Sequence, residues 1–296
     1  MQDLATVCKR LRSDDGTLSM LQMQNLELGN GGIRTLSSSI VSPTHLVVLW
    51  LQHNLISSKA AMALSRVLEA SPHVLYLFLG DNSLSNEGIA TIAPQLAKLQ
   101  VCHLDYNNIG TTGIKALANQ LRRPDCRLET LMLDGNPIDE EGAKILSDAL
   151  EENTSLRRLS LRRIHFSTKG LQFIRNALSQ SNQTLVDLKI DSVCSFLCPP
   201  QHCCCPGCAL HEDIQFFTTW NRGGRRIFGN FQVNNKLWPW ILARANQSSD
   251  SICFRLLTTR PDIVGTSEST DTQPGMDDQG SEQSVKLNDM DIETKL

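Results

Sequence analysis

Six cysteines stand between Cys194 and Cys208, in VCSFLCPPQHCCCPGCALHED, the densest set of reactive side chains in the sequence. Cys198, Cys203, Cys205 and Cys208, with His202 and His211 close by, could supply four soft ligands to a tetrahedral zinc ion. The Cys205-x-x-Cys208 step suits a metal knuckle, but no second C-x-x-C completes the pair. Acylation of Cys203 to Cys205 would instead tether the chain to a membrane. A variable loop with free thiols is the plain reading of the same residues. Beyond zinc at this cluster, no cofactor is expected. His103 and Asp105 are two residues apart and so share one face of a strand. No serine or cysteine nucleophile stands beside them in an evident triad, and a surface histidine accounts for the pair. NRGGRR, with Arg222, Arg225 and Arg226, does not follow a buried strand, and neither G-x-x-x-x-G-K-[ST] nor G-x-G-x-x-G occurs. No catalytic residue is assigned, and the chain reads as a non-enzyme.

The elements that must position any site are written in a repeat. LETLMLDGNPI, from Leu128, has counterparts in HLVVLWLQHNLI (from His45), HVLYLFLGDNSL (from His73) and KLQVCHLDYNNI (from Lys98). Looser copies begin at Thr17, Ser155 and Thr184. Aligned on the second apolar position, the copies place Leu21, Leu49, Leu77, Cys102, Leu131, Leu159 and Leu188 in one column, at steps of 28, 28, 25, 29, 28 and 29 residues. That period, with L-x-x-L-x-L-x-x-N, is the leucine-rich-repeat signature. Between strands, apolar residues recur at three- and four-residue steps, as in Ile114, Leu117 and Leu121, and mark amphipathic helices. Ser58 and Asp139 are the expected caps of two of them. Repeats of this length with a full helix resemble the ribonuclease-inhibitor-like class over about residues 4–191. The resemblance implies an α/β fold: a right-handed solenoid, or horseshoe, of about seven repeats. Its parallel sheet would be concave and its helical face convex, with a small helical C-terminal cap.

Asn54, Asn82, Asn107 and Asn136 fall where each strand turns out, and are expected to form a structural asparagine ladder satisfying backbone groups. Alternation assigns the concave face. Its central column runs Gln22, Trp50, Phe78, His103, Met132, Ser160 and Lys189. Three zones follow: an exposed aromatic patch of Val48, Trp50, Tyr76 and Phe78, an acidic middle of Asp81, Asp105 and Asp134, and a basic end of Arg157, Arg158, Arg162 and Arg163. Exposed aromatics beside arginines are what binding hot spots are made of. The partner-binding set is therefore Trp50, Tyr76, Phe78, His103, Tyr106 and Met132, with Arg158 and Arg162 as secondary contacts.

Residues 3–12 read as the end of a helix, with Leu4, Val7 and Leu11 on one side. The repeats are assigned to residues 1–191 and a Cys-rich linker to 192–211. A helical capping segment takes 212–264, where Phe216, Phe217, Trp220, Trp238 and Trp240 supply a small core. Its order NRGGRR, LWPWILARA, FRLLTTRPDIV resembles a tail of uncharacterised repeat proteins of unicellular algae, diatoms especially. From Gly265 to Leu296 eight acids stand against two lysines without periodicity, the composition of a disordered acidic tail. A net charge of -3 argues against phosphate-driven nucleic-acid binding. The sequence shows no signal peptide or apolar run of spanning length, and no disulfide pattern. A reducing location is expected, cytoplasmic or nuclear.

The expected function is non-catalytic protein–protein interaction, an unidentified protein partner being held on the concave sheet. Ribonuclease inhibitors and the sensor repeats of intracellular immune receptors would be comparable recognition arrays, here with no nucleotide-binding module before the repeats. The alternative is a GTPase regulator, since array and acidic tail resemble the Ran GTPase-activating protein. The arginine motif of that family has no residue-by-residue match here.

Overall fold

The computed structural model describes residues 3–191 and 206–222, all within the first of two compact units, residues 1–233. Cys198, Cys203, Cys205 and His202, the algal-type tail motifs beyond Arg222 and the acidic stretch from Gly265 lie outside the described residues. Seven short strands alternate with helices: β1 (Met20–Gln22), β2 (Val48–Trp50), β3 (Tyr76–Phe78), β4 (Val101–His103), β5 (Thr130–Met132), β6 (Arg158–Leu161) and β7 (Asp187–Ile190). They form one parallel sheet in sequential order. The register pairs Leu21, Leu49, Leu77, Cys102, Leu131, Leu159 and Leu188 across it, the same column that the repeat spacing aligns.

The helices are α1 (Leu4–Arg12), α2 (Gly29–Ser39), α3 (Ala61–Glu69), α4 (Ser85–Leu96), α5 (Thr111–Leu121), α6 (Glu140–Glu152), α7 (Thr168–Gln180) and α8 (Pro206–Arg222). Each of α2 to α7 packs on its neighbour behind the strands. The leucine column, a second layer at Met23, Leu51, Leu79, Leu104, Leu133 and Leu161, and the helix stripes are buried together. At about 1.5–3 kcal/mol per buried aliphatic side chain, this stack outweighs any single polar contact in the array. No strand could bury its apolar face alone, so stability comes from stacking.

Two boundaries differ from the expectation. Asp3 starts α1 as an N-cap, its carboxylate accepting from the Thr6 amide at 2.9 Å, so residues 4–12 are a capped helix and not the tail of one. Ser57, not Ser58, is the cap before α3: its hydroxyl accepts from the Lys59 amide, and a 3-10 turn over Ser58–Ala60 precedes the α-helix. Asn30 of the preceding repeat accepts the Ser57 amide at 2.9 Å, which holds the cap one residue early. Asp139 caps α6 as expected, accepting from Gly142 at 2.8 Å.

α8 begins inside the cysteine-rich stretch and lies against α7 and β7. Ile214 and Phe217 are buried. Asn221 donates to the carbonyls of Asn182 and Leu185 at 3.2 and 2.9 Å, and Arg222 to that of Val186 at 3.0 Å. These carbonyls sit just before β7, where a further repeat would otherwise bond.

Candidate functional site

The face of the sheet turned away from the helices carries every second residue of each strand. Register places Gln22, Trp50, Phe78, His103, Met132 and Ser160 side by side. The central three form a continuous stack. Trp50 and Phe78 have centroids 5.1 Å apart and tilted by 31°, and His103 meets Phe78 edge-on at 4.7 Å. Both separations are those of attractive aromatic pairs. Trp50 Nε1 donates to Gln52 Oε1 at 2.5 Å, which fixes the indole over its own strand.

Met132 continues the row beside His103, and Tyr76 and Val48 flank it in the neighbouring column. One expectation needs correcting here: Val48, Trp50, Tyr76 and Phe78 are half-buried rather than exposed. Side chains on adjacent strands stand less than a ring's width apart, so each ring covers the flanks of the next and leaves its outer part to solvent. Thr130 and Ser160 are buried, so the β5–β6 part of this face is carried by Met132, Arg158 and Arg162.

Electrostatics vary along the row. β1 to β3 present no charge on this face: Met20, Gln22, Val48, Trp50, Tyr76, Phe78 and the following Gly80 are neutral. Asp105 and Asp134 follow β4 and β5. The Asp105 carboxylate lies directly on Gly80, filling the space a Cβ would take. Burial pushes its pKa above the ordinary carboxylate range, with the charges of Asp81 and Asp134 adding to the rise against the opposing influence of its own amide and His103. Burial also holds His103 below the usual histidine range, against the pull of Asp105 and Asp134. Arg158 and Arg162 are exposed at β6. Arg158 Nε donates to Thr130 Oγ1 at 3.1 Å, and the Arg162 amide to Asp134 Oδ1 at 2.8 Å. β7 carries Asp187 and Lys189, and Asp191 follows it directly.

Tyr106 is not on this face. It sits at the rim, in the turn that leaves β4, at φ +52°. Its ring rests on Gly135, where any Cβ would collide with it, and the Arg163 guanidinium lies 5.6 Å from the ring centre. With Asn108, Pro137, Ile138 and His165 these residues line an open cleft of about 540 Å³.

The four ladder asparagines are buried and bonded in series. Asn136 Oδ1 accepts the amides of Asn107 and Ile109 at 3.0 and 2.9 Å, and its Nδ2 donates to the carbonyls of Leu104 and Leu133, both at 2.9 Å. A second set was not foreseen from the sequence. Asn153 and Asn182 donate to the carbonyls of Leu121 and Leu150, both at 2.7 Å, and Asn221 continues from α8. Of the thiols, Cys102 belongs to the leucine column; burial, then the Asp105 charge, raises its pKa and keeps it protonated. Among the described residues no group of three or more metal-ligating side chains comes together. No helix among them is long and apolar enough to cross a membrane.

The leucine-rich-repeat family pattern matches residues 95–118, from the end of α4 through β4 into α5. The chain is a solenoid of leucine-rich repeats. It is 27% identical over 255 residues to NACHT, LRR and PYD domains-containing protein 5 of Mus musculus, a match covering 84% of this chain and 21% of the relative. It is 33% identical over 146 residues to the corresponding protein 7 of Homo sapiens, covering 48% and 15%. The chain thus spans about a fifth or less of the length of these curated relatives. Among solved structures, the leucine-rich-repeat-containing protein LegL7 of Legionella pneumophila aligns with a TM-score of 0.36 at 13% identity, over 73% of this chain and 78% of that one.

Proposed function

We propose that the open sheet face of these leucine-rich repeats binds a partner protein without catalysing a reaction on it. Trp50, Tyr76, Phe78, His103 and Met132 would make the central contacts, Arg158 and Arg162 the secondary ones, with Tyr106 reached only at the rim. The observation that carries this reading is the Trp50–Phe78–His103 stack, half-buried on the side of the sheet that its own helices do not cover. Packed, pre-ordered aromatics lose little conformational freedom on binding and bury much area, which is why they dominate interface energetics. The similarity to leucine-rich-repeat proteins supports a scaffold role in general.

The test is affinity capture from lysate of the source cells with the wild-type chain and with the Trp50→Ala, Phe78→Ala double variant. Neither side chain belongs to the leucine core, so the variant is expected to keep its helical circular dichroism and to lose the captured protein. Equal capture by the folded double variant would overturn the assignment of this face.

A further inference from the structure

The charges of the open face follow an order along the solenoid axis, and that order constrains what can dock. β1 to β3 are uncharged on this face and carry the aromatic stack. Two carboxylates, Asp105 and Asp134, come next, and two exposed arginines, Arg158 and Arg162, follow at β6. Building on the binding reading above, we infer that the occupant is an α-helix of a partner protein laid across the strands, with an apolar anchor on Trp50 and Phe78, then a basic residue at Asp105 and Asp134, then an acidic residue at Arg158 and Arg162.

Spacing supports the helix. Strands lie about 4.8 Å apart, so the midpoint of β2 and β3 is about 10 Å from the midpoint of β4 and β5, and about 17 Å from β6. A helix rising about 1.5 Å per residue covers these spans in about seven and eleven residues. Positions i, i+7 and i+11 fall on one helical face. Backbone chemistry points the same way. The sheet offers this face side chains only, because the N–H and C=O groups of β2 to β6 are spent on their two neighbours. An extended peptide would leave its own backbone unpaired there, while a helix arrives with its hydrogen bonds made. Opposite charges in sequence also fix direction, since the reversed helix would set its acid on the uncharged Trp50–Phe78 stack and its apolar anchor on Arg158 and Arg162. Asp187 on β7 and Asp191 just after it lie beyond the arginines and mark where an acidic partner segment must end.

The experiment uses fluorescein-labelled synthetic helices and the full chain, read by polarisation at low and high salt. One probe carries Trp at i, Arg at i+7 and Glu at i+11 on an alanine-rich helix; the second exchanges the Arg and the Glu. The first should bind at least about tenfold more tightly, about 1.4 kcal/mol, with the difference shrinking as salt rises. In the Arg158→Glu, Arg162→Glu variant, whose altered side chains are exposed, the first probe should lose that advantage. Equal affinity of the two probes, both abolished by Trp50→Ala, would overturn the charge order and leave the binding face standing. Equal binding by a proline-interrupted, non-helical version of the first probe would overturn the helix. Absence of binding by either helix, beside a lysate capture that still depends on Trp50 and Phe78, would overturn this inference without touching the proposed function.

Discussion

Asn136 replaces, with one side chain, hydrogen bonds that the turns leaving β4 and β5 cannot make for themselves. Its oxygen takes two buried amides and its nitrogen reaches carbonyls of its own repeat and the one before. Removing a partner from buried polar groups costs about 1–3 kcal/mol per group. Because three of the freed groups share the turn leaving β4 and can partly relax together, Asn136→Ala should destabilise the array by about 3 kcal/mol, measured as a lower urea midpoint. A loss below that of an exposed Asn119→Ala control would refute the ladder's energetic role. Asp105 poses the opposite case, a carboxylate set where burial opposes its charge. Its folded pKa lies above the unfolded value of 3.8, so the unfolded chain releases this proton first as pH rises. Stability contributed by the protonated form is therefore present below that value and is lost as pH climbs through the raised folded pKa. Asp105→Asn should accordingly raise the melting temperature at neutral pH and leave it nearly unchanged below the ordinary carboxylate range. A neutral-pH decrease would mean that the carboxylate has a stabilising partner.

At the scale of elements, the least legible feature is the turn after each strand. Asn25, His53, Asp81, Tyr106, Gly135 and Arg163, each four residues past the aligned column, all adopt positive φ. Only one is glycine, so residue type carried no signal; the conformation is imposed by amide bonds to the next repeat, such as Tyr106 to Asp134 at 2.8 Å, and at His53, Asp81, Tyr106 and Gly135 also by the ladder asparagine that follows. The strands themselves were readable to the residue, because period-2 alternation repeated every 28 residues or so permits one register only. The second asparagine set escaped notice because Asn221 lies on α8, outside the period of Asn153 and Asn182. Gly135 tests how tightly a turn is bound to its neighbour. Gly135→Ala meets both a left-handed backbone, φ +65°, and the Tyr106 ring. It should cost about 2–3 kcal/mol, and about half of that should return in the Tyr106→Ala background, where only the backbone penalty remains. Strict additivity in the double-mutant cycle would separate the two residues energetically. The α6 cap is a smaller case. Asp139→Ala should cost about 1 kcal/mol by urea unfolding. The Thr111 hydroxyl and Gly142 amide hold the Asp139 pKa below its ordinary value, so the contribution is present above the unfolded pKa and is lost as pH falls through the lowered one.

For the molecule as a whole, the open edge of the array decides whether the repeats stay folded. A stacked array contributes its core only through neighbours, so its last repeat is half-supported unless something covers it. α8 supplies that cover with two buried side chains, Ile214 and Phe217, and with Asn221 taking carbonyls before β7. That α8 carries a packing aromatic, Phe217, was legible from the aromatic-rich stretch after the last repeat. Its beginning at Pro206 was not, since a run of cysteines and prolines carries no helical period. Phe217→Ala leaves a cavity where an apolar ring is 7% exposed, a change worth about 3–5 kcal/mol locally. In a two-state globule that loss would lower protection everywhere alike. In a nearest-neighbour array it should fall mostly on the repeat touched. Amide exchange should therefore quicken most in α7 and β7, less in α6 and β6, and little in α2 and β1. Uniform loss of protection from β1 to β7 would show that the solenoid unfolds as one unit, and that α8 stabilises the whole sheet rather than its end.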